Sequence, residues 1–170
     1  MNDRNLRIIA AIGLVAGTVL GIAGTFTQPP TRGFLWALDG FALIVASALL
    51  VVHHHRQERD LMAAGFIVFA IGQGLIVSGA GMDPGDVVSP FAAGAGLWAC
   101  GIALVSAPAV MPFLVRILGF ITAVLFAIFA LRVFSGTPLT SLSTPLPSLA
   151  YPFLGATLFC WAWLLVRGPR

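Results

Sequence analysis

His53-His54-His55-Arg56-Gln57-Glu58-Arg59-Asp60 is the one long polar run in the chain, and it is entered directly from the apolar Val52. Two arginines and three histidines between apolar segments read as a short cytoplasmic loop, because Lys and Arg accumulate on the side from which they need not be translocated. Once that side is fixed, every other loop follows by counting outward in both directions.

Composition sets the solvent. The chain is 59% hydrophobic and 9% charged, against about 25% charged residues in soluble domains, so its apolar side chains exceed what one small globule can hide. A membrane span needs about 18 or more apolar residues, and 170 residues hold six such spans on short connectors with no room for a soluble domain. The expected architecture is all-α: a polytopic integral membrane protein forming one bundle over residues 1–170. Its helices are read at about 6–26, 34–52, 61–81, 90–107, 113–134 and 149–166. The bilayer is the expected partner. The formal charge of +3 comes from nine basic residues, all arginine, spread over the loops, which argues against a nucleic-acid partner.

Arg4 and Arg7 precede the first apolar run, Leu6 to Phe26, in which Gly21 and Ala23 resemble a signal-cleavage site. A signal h-region is about 7–15 residues, so this longer run reads as a retained first helix. Gly13, Gly17 and Gly21 recur every four residues and share one face, where small residues let another helix approach. That neighbour is either internal or a second copy in a homo-oligomer.

Thr27-Gln28-Pro29-Pro30-Thr31-Arg32-Gly33 breaks the helix, since prolines remove backbone donors. In the second span Trp36 sits at aromatic-belt level, and Asp39 lies about 7 Å inside at 1.5 Å per residue. A carboxylate there needs a partner or a wet cavity. The third span carries Gln73 near its midpoint, as an interhelical hydrogen-bonding group or as the lining of a permeation path. Ala70, Gly74 and Ser78 form its small-residue row.

Met82-Asp83-Pro84-Gly85-Asp86 suits a type II turn, and Ser89-Pro90 suits an N-cap followed by proline. The fourth span is thin, rich in Ala and Gly, and therefore suited to a bundle centre. Pro108 and Pro112 mark the second cytoplasmic turn. The fifth span carries Arg116 at its start, Phe113, Phe120, Phe126, Phe129 and Phe134 along a bulky, lipid-facing girth, and Arg132 near its outer end. Ser135 to Ser148 is read as a structured outer loop. Tyr151 and Pro152 open the sixth span, Trp161 and Trp163 lie toward its inner end, and Gly168-Pro169 stops it.

This threading puts Arg4, Arg7, Arg56, Arg59, Arg116, Arg167 and Arg170 in the cytoplasm and Arg32 and Arg132 outside. The bias predicts cytoplasmic termini and a bacterial plasma (inner) membrane location. Arg7-Ile8-Ile9 and Arg116-Ile117-Leu118 each open an outward span, a weak repeat compatible with three parallel helical hairpins.

No motif supplies chemistry. Consecutive helical residues point about 100° apart, so His53, His54 and His55 cannot all face one metal or haem, and they read as an interfacial polar end. Cys100 and Cys160 fall inside spans without a metal or redox spacing, and read as small hydrophobes in the bundle. There is no P-loop, H-E-x-x-H, G-x-S-x-G or Rossmann pattern, so no cofactor is expected and catalysis is disfavoured. Three function classes stand. The favoured one is a non-enzymatic membrane component that binds other membrane proteins or itself. The second is a small transporter or channel with a polar path through Asp39 and Gln73, which a midplane helix break would support; the third is a membrane-embedded enzyme. Asp39 and Arg132, opposite charges in the outer half, are expected to meet directly or through water and tie the second span to the fifth, with Arg32 as the rival partner of Asp39 and Asp83 or Asp86 as that of Arg132.

Overall fold

A computed structural model describes residues 2–78, 88–136 and 146–168, with side chains from residue 149 onward in the last segment. In hydrocarbon every backbone N–H and C=O must be paired within the segment, and the described residues answer with six α-helices and no strand. They are α1 (Asp3–Thr25), α2 (Thr31–His55), α3 (Asp60–Ser78), α4 (Val88–Ser106), α5 (Phe113–Phe134) and α6 (Leu146–Arg167). All six are long and apolar enough to cross a membrane. The turn expected at Met82 to Asp86 and most of the expected outer loop, residues 137–145, lie outside the described residues.

Successive helices are antiparallel, each packs on its neighbours in sequence, and α6 returns to α1, so the bundle is a closed ring. The α4–α5 seam is more extensive than the α5–α6 seam, and the ring does not divide into three separate hairpins. One end of the ring carries both chain termini together with the α2–α3 and α4–α5 turns. It is called here the terminal end, and the other the distal end.

Several local expectations change. The polar run is only partly a loop: α2 continues through all three histidines and then closes in a Schellman-type turn. Arg59 N–H donates to the His54 carbonyl at 3.0 Å and Glu58 N–H to the His55 carbonyl at 3.0 Å, with Glu58 at φ 56° in the left-handed position. Ser89 is not the α4 cap, because the helix begins one residue earlier and takes Pro90 into its first turn, where no N–H is needed. Pro152 stands inside α6 rather than at its start, although near the distal end and not at mid-membrane. The α4 helix is not central, since the ring has no central helix; its thinness goes into close approach to α3.

Glycine sets the seams. Gly13, Gly17 and Gly21 face α2: a methyl group on Gly13 would lie 2.9 Å from Ala46 Cβ, one on Gly17 2.6 Å from Leu43 Cγ, and one on Gly21 3.0 Å from Asp39 Oδ2. The α3 row behaves otherwise. Gly74 has nothing within 4 Å, and the Ser78 hydroxyl donates back to the Leu75 carbonyl on an exposed face. The residues of α3 that meet α4 are Gly65 and Gly72, opposite Gly101 and Gly94. Methyl groups on Gly65 or Gly101 would lie 2.8 or 2.7 Å from the other's carbonyl oxygen, and on Gly72 or Gly94 at 2.7 Å.

The middle of the ring is filled by aromatic and aliphatic side chains. Trp98 stacks on Phe69 at 5.6 Å and meets the edge of Phe126 at 5.3 Å, with Leu14, Leu50, Ile102 and Leu158 buried around them. The α5 phenylalanines divide accordingly: Phe126 and Phe129 are buried, whereas Phe113, Phe120 and Phe134 are exposed on the outer face. Cys100 also lies exposed rather than in the bundle interior, and Cys160 is half-buried. Thr122 and Thr157 share a buried hydroxyl contact of 2.9 Å across α5 and α6, a polar tie that no charged motif announced.

Candidate functional site

At the terminal end the last turn of α2 is drawn inward. His53 and His54 are only 3% and 6% exposed, while His55 faces solvent, as the 100° step between consecutive helical residues requires. His53 Nδ1–H donates to Asp3 Oδ1 at 2.7 Å, which leaves its Nε2 placed to accept from the Gln57 amide at 3.2 Å. Asp3 also lies 3.4 Å from Arg7 Nε. The first turn of α1 is thus fastened to the end of α2. His55 donates to Asp60 at 3.0 Å across the turn, and Arg116 donates to the Ser106 and Ala107 carbonyls at 3.0 and 2.7 Å, closing the end of α4 from α5.

His54 has a different environment. Its ring stacks on Phe66 at 5.5 Å with 1° between the planes, Phe66 meets Trp161 edge-on at 5.3 Å, and His54 Nδ1 has no hydrogen-bond partner among the described residues. Arg7 Nε, despite its proximity to Asp3, also lacks hydrogen-bond geometry; Arg7 instead donates from Nη1 to the Leu165 carbonyl at 3.3 Å.

These groups border one cavity of about 640 Å³, inside the range of about 300–1,000 Å³ common to small-ligand pockets. Its described lining includes Arg7, His53, His54, Gln57, Arg59 and Arg167 among its polar side chains, and Leu50, Met62, Phe66, Met111, Trp161 and Leu164 among its apolar ones. No carboxylate, hydroxyl or thiol is in that lining. Arg167 lies with its guanidinium carbon 4.3 Å from the Trp163 ring centre, a cation–π contact.

The residues singled out from sequence lie mostly at the other end. Gln73 is 1% exposed and its Oε1 is unpartnered among the described residues. It sits about 20 Å along α3 from Asp60 at 1.5 Å per residue, with its amide nitrogen 3.3 Å from where a Gly40 methyl would be. Asp39, half-buried, covers Gly21 on the α1 side instead, and no hydrogen bond joins it to Gln73. Asp39 and Arg132 form no direct ion pair. The ion pairs among the described residues are Asp3 with Arg7, Asp3 with His53, and Asp60 with His55. Helix α2 packs on α1 and α3, α5 packs on α4 and α6, and Arg132 is exposed on the last turn of α5. The distal aromatic Trp36 donates from Nε1 to the Gly21 carbonyl at 3.3 Å, with Arg32 over its ring at 5.4 Å.

Among the described residues no group of three His, Cys, Asp or Glu side chains converges to hold a metal. The cavity is not legible in the sequence because its walls come from α1, α2, α3, the α4–α5 turn and α6. The one local signal is that two histidines and Trp161 fall near the same end of their helices. Comparison with family models, curated proteins and solved structures returns no match to this chain.

Proposed function

We propose that this chain is a non-enzymatic, multi-pass membrane protein that binds a ligand in the cavity at its terminal end, with that end in the cytoplasm and the bundle in a bacterial inner membrane. The observation that carries this reading is the cavity itself: a pre-formed space bordered by three arginines and a buried imidazole without a partner. The described lining offers no hydroxyl or thiol nucleophile, which supports binding over covalent catalysis. Binding to a second copy through the Gly13, Gly17 and Gly21 face has less support, because α2 occupies that face.

Native mass spectrometry of the full chain extracted from membranes tests the reading. Wild type should retain a small molecule that Val110→Trp, which fills the cavity from the α4–α5 turn, loses; bare protein mass in both would end the proposal. Orientation rests on the arginine bias, and reporter fusions at Ser141 and Arg170 should respond on opposite sides of the membrane.

A transporter is the second reading. Gln73, buried and incompletely paired, lies one helical turn beyond Phe69 on α3 and Asp39 lies in the distal half of α2, whereas the cavity is at the terminal end. Under this reading the aromatic cluster of Phe69, Trp98 and Phe126 is a closed gate between two polar stations. Solute flux in proteoliposomes that Gln73→Leu abolishes without lowering the melting temperature would favour it over simple binding.

A further inference from the structure

The lining of the cavity divides by chemistry. Arg59 and Arg167 stand at helix ends, whereas Phe66 and Trp161 lie six to seven residues further in, about 10 Å deeper at 1.5 Å per residue. Among the described residues Arg7 is the one lining arginine with an ion pair, to Asp3, and native proteins rarely leave buried polar atoms such as Arg7 Nε and His54 Nδ1 without partners. An oxyanion placed among these groups would accept from guanidinium and imidazole N–H at once, and charge-assisted bonds of that kind are the strong ones. A free anion would use only that rim and would make no contact with the apolar side chains deeper in the lining.

We propose that the cavity takes an amphiphile: an oxyanion head of phosphate type held by Arg7, Arg59, Arg167 and His54, on an alkyl stem lying against Phe66 and Trp161. The inference rests on the binding reading above and adds the ligand's chemical class. Oxyanion recognition is common to a lipid headgroup and to free phosphate, and the aromatic floor decides for the one that carries a stem.

The test uses the full chain in dodecyl maltoside micelles and follows melting temperature during titration with dodecyl phosphate, inorganic phosphate or dodecanol. Dodecyl phosphate should stabilise saturably, and the other two should bind at least about tenfold more weakly, the scale of one lost charged hydrogen bond. Arg59→Gln and His54→Phe should each weaken dodecyl phosphate by about tenfold on the same scale. Phenylalanine keeps the stacking on Phe66, and should His54→Phe misfold, Arg59→Gln at the polar turn still decides. Dodecanol binding as tightly as dodecyl phosphate overturns head recognition, and inorganic phosphate binding as tightly overturns the stem; in both cases the binding reading survives. No response to any probe, in a protein that still co-purifies with a molecule lost in Val110→Trp, overturns this inference alone.

Discussion

The α1–α2 and α3–α4 seams are both built on glycine, but they present different atoms to it. On α1, Gly17 faces the Leu43 side chain and Gly21 the Asp39 carboxylate, groups that can rotate away. On α3 and α4, Gly65 and Gly101 face each other's carbonyl oxygens, as do Gly72 and Gly94, and backbone cannot yield without moving a helix. The first seam is therefore adjustable at Gly17 and Gly21, though not at Gly13, which meets Ala46 Cβ at 2.9 Å and the Ala42 carbonyl oxygen at 3.1 Å, and the second is fixed. A third row, Ala70, Gly74 and Ser78, has the same spacing as the α1 row, and Gly74 touches nothing within 4 Å. Spacing permits close approach; it does not select the partner.

Alanine substitution separates the three rows. Gly101→Ala should cost most, about 1–3 kcal/mol as for overpacking of a tight core, because the new methyl meets Gly65 O at 2.7 Å and Phe69 N at 2.8 Å. Unfolding in mixed micelles measures it, and a loss no larger than at Gly17 would erase the contrast between the seams. Gly17→Ala should cost about 1 kcal/mol or less on the same scale, since Leu43 can change rotamer. Gly74→Ala should reverse the sign, stabilising by up to about 1 kcal/mol through helix propensity alone; a destabilisation there would show a contact on that face. The smallest effect belongs to the pair that the ring keeps apart. Asp39→Asn and Arg132→Gln should be additive within about 0.5 kcal/mol, and a larger coupling energy in the double-mutant cycle would contradict the separation of α2 from α5.

The distribution of polar groups shows the same limit of local reading. Asp39 and Gln73 stand out in sequence because each interrupts an apolar run, yet no hydrogen bond connects them in the bundle. Arg7, His54, Arg59 and Arg167 look like ordinary membrane-edge residues one at a time and converge on a single cavity. The notion that all three histidines form one interfacial end also gives way. His53 is tied to Asp3, His54 is stacked on Phe66, and only His55 remains at the surface.

The number of helices, their order and the clustering of arginines at one end were decided by the sequence alone. Those properties are local: an apolar run of sufficient length must satisfy its own backbone in lipid, and it can do so only as a helix. Ring closure, the choice of Gly65 and Gly72 over Gly74, the burial of two histidines and the cavity were decided by tertiary structure. Lipid tails are as apolar as leucine, so inner and outer faces of these helices carry the same hydrophobic signal. Which face turns inward then depends on shape and on hydrogen bonds between residues far apart in the chain, such as Asp3 with His53 and Arg7 with the Leu165 carbonyl.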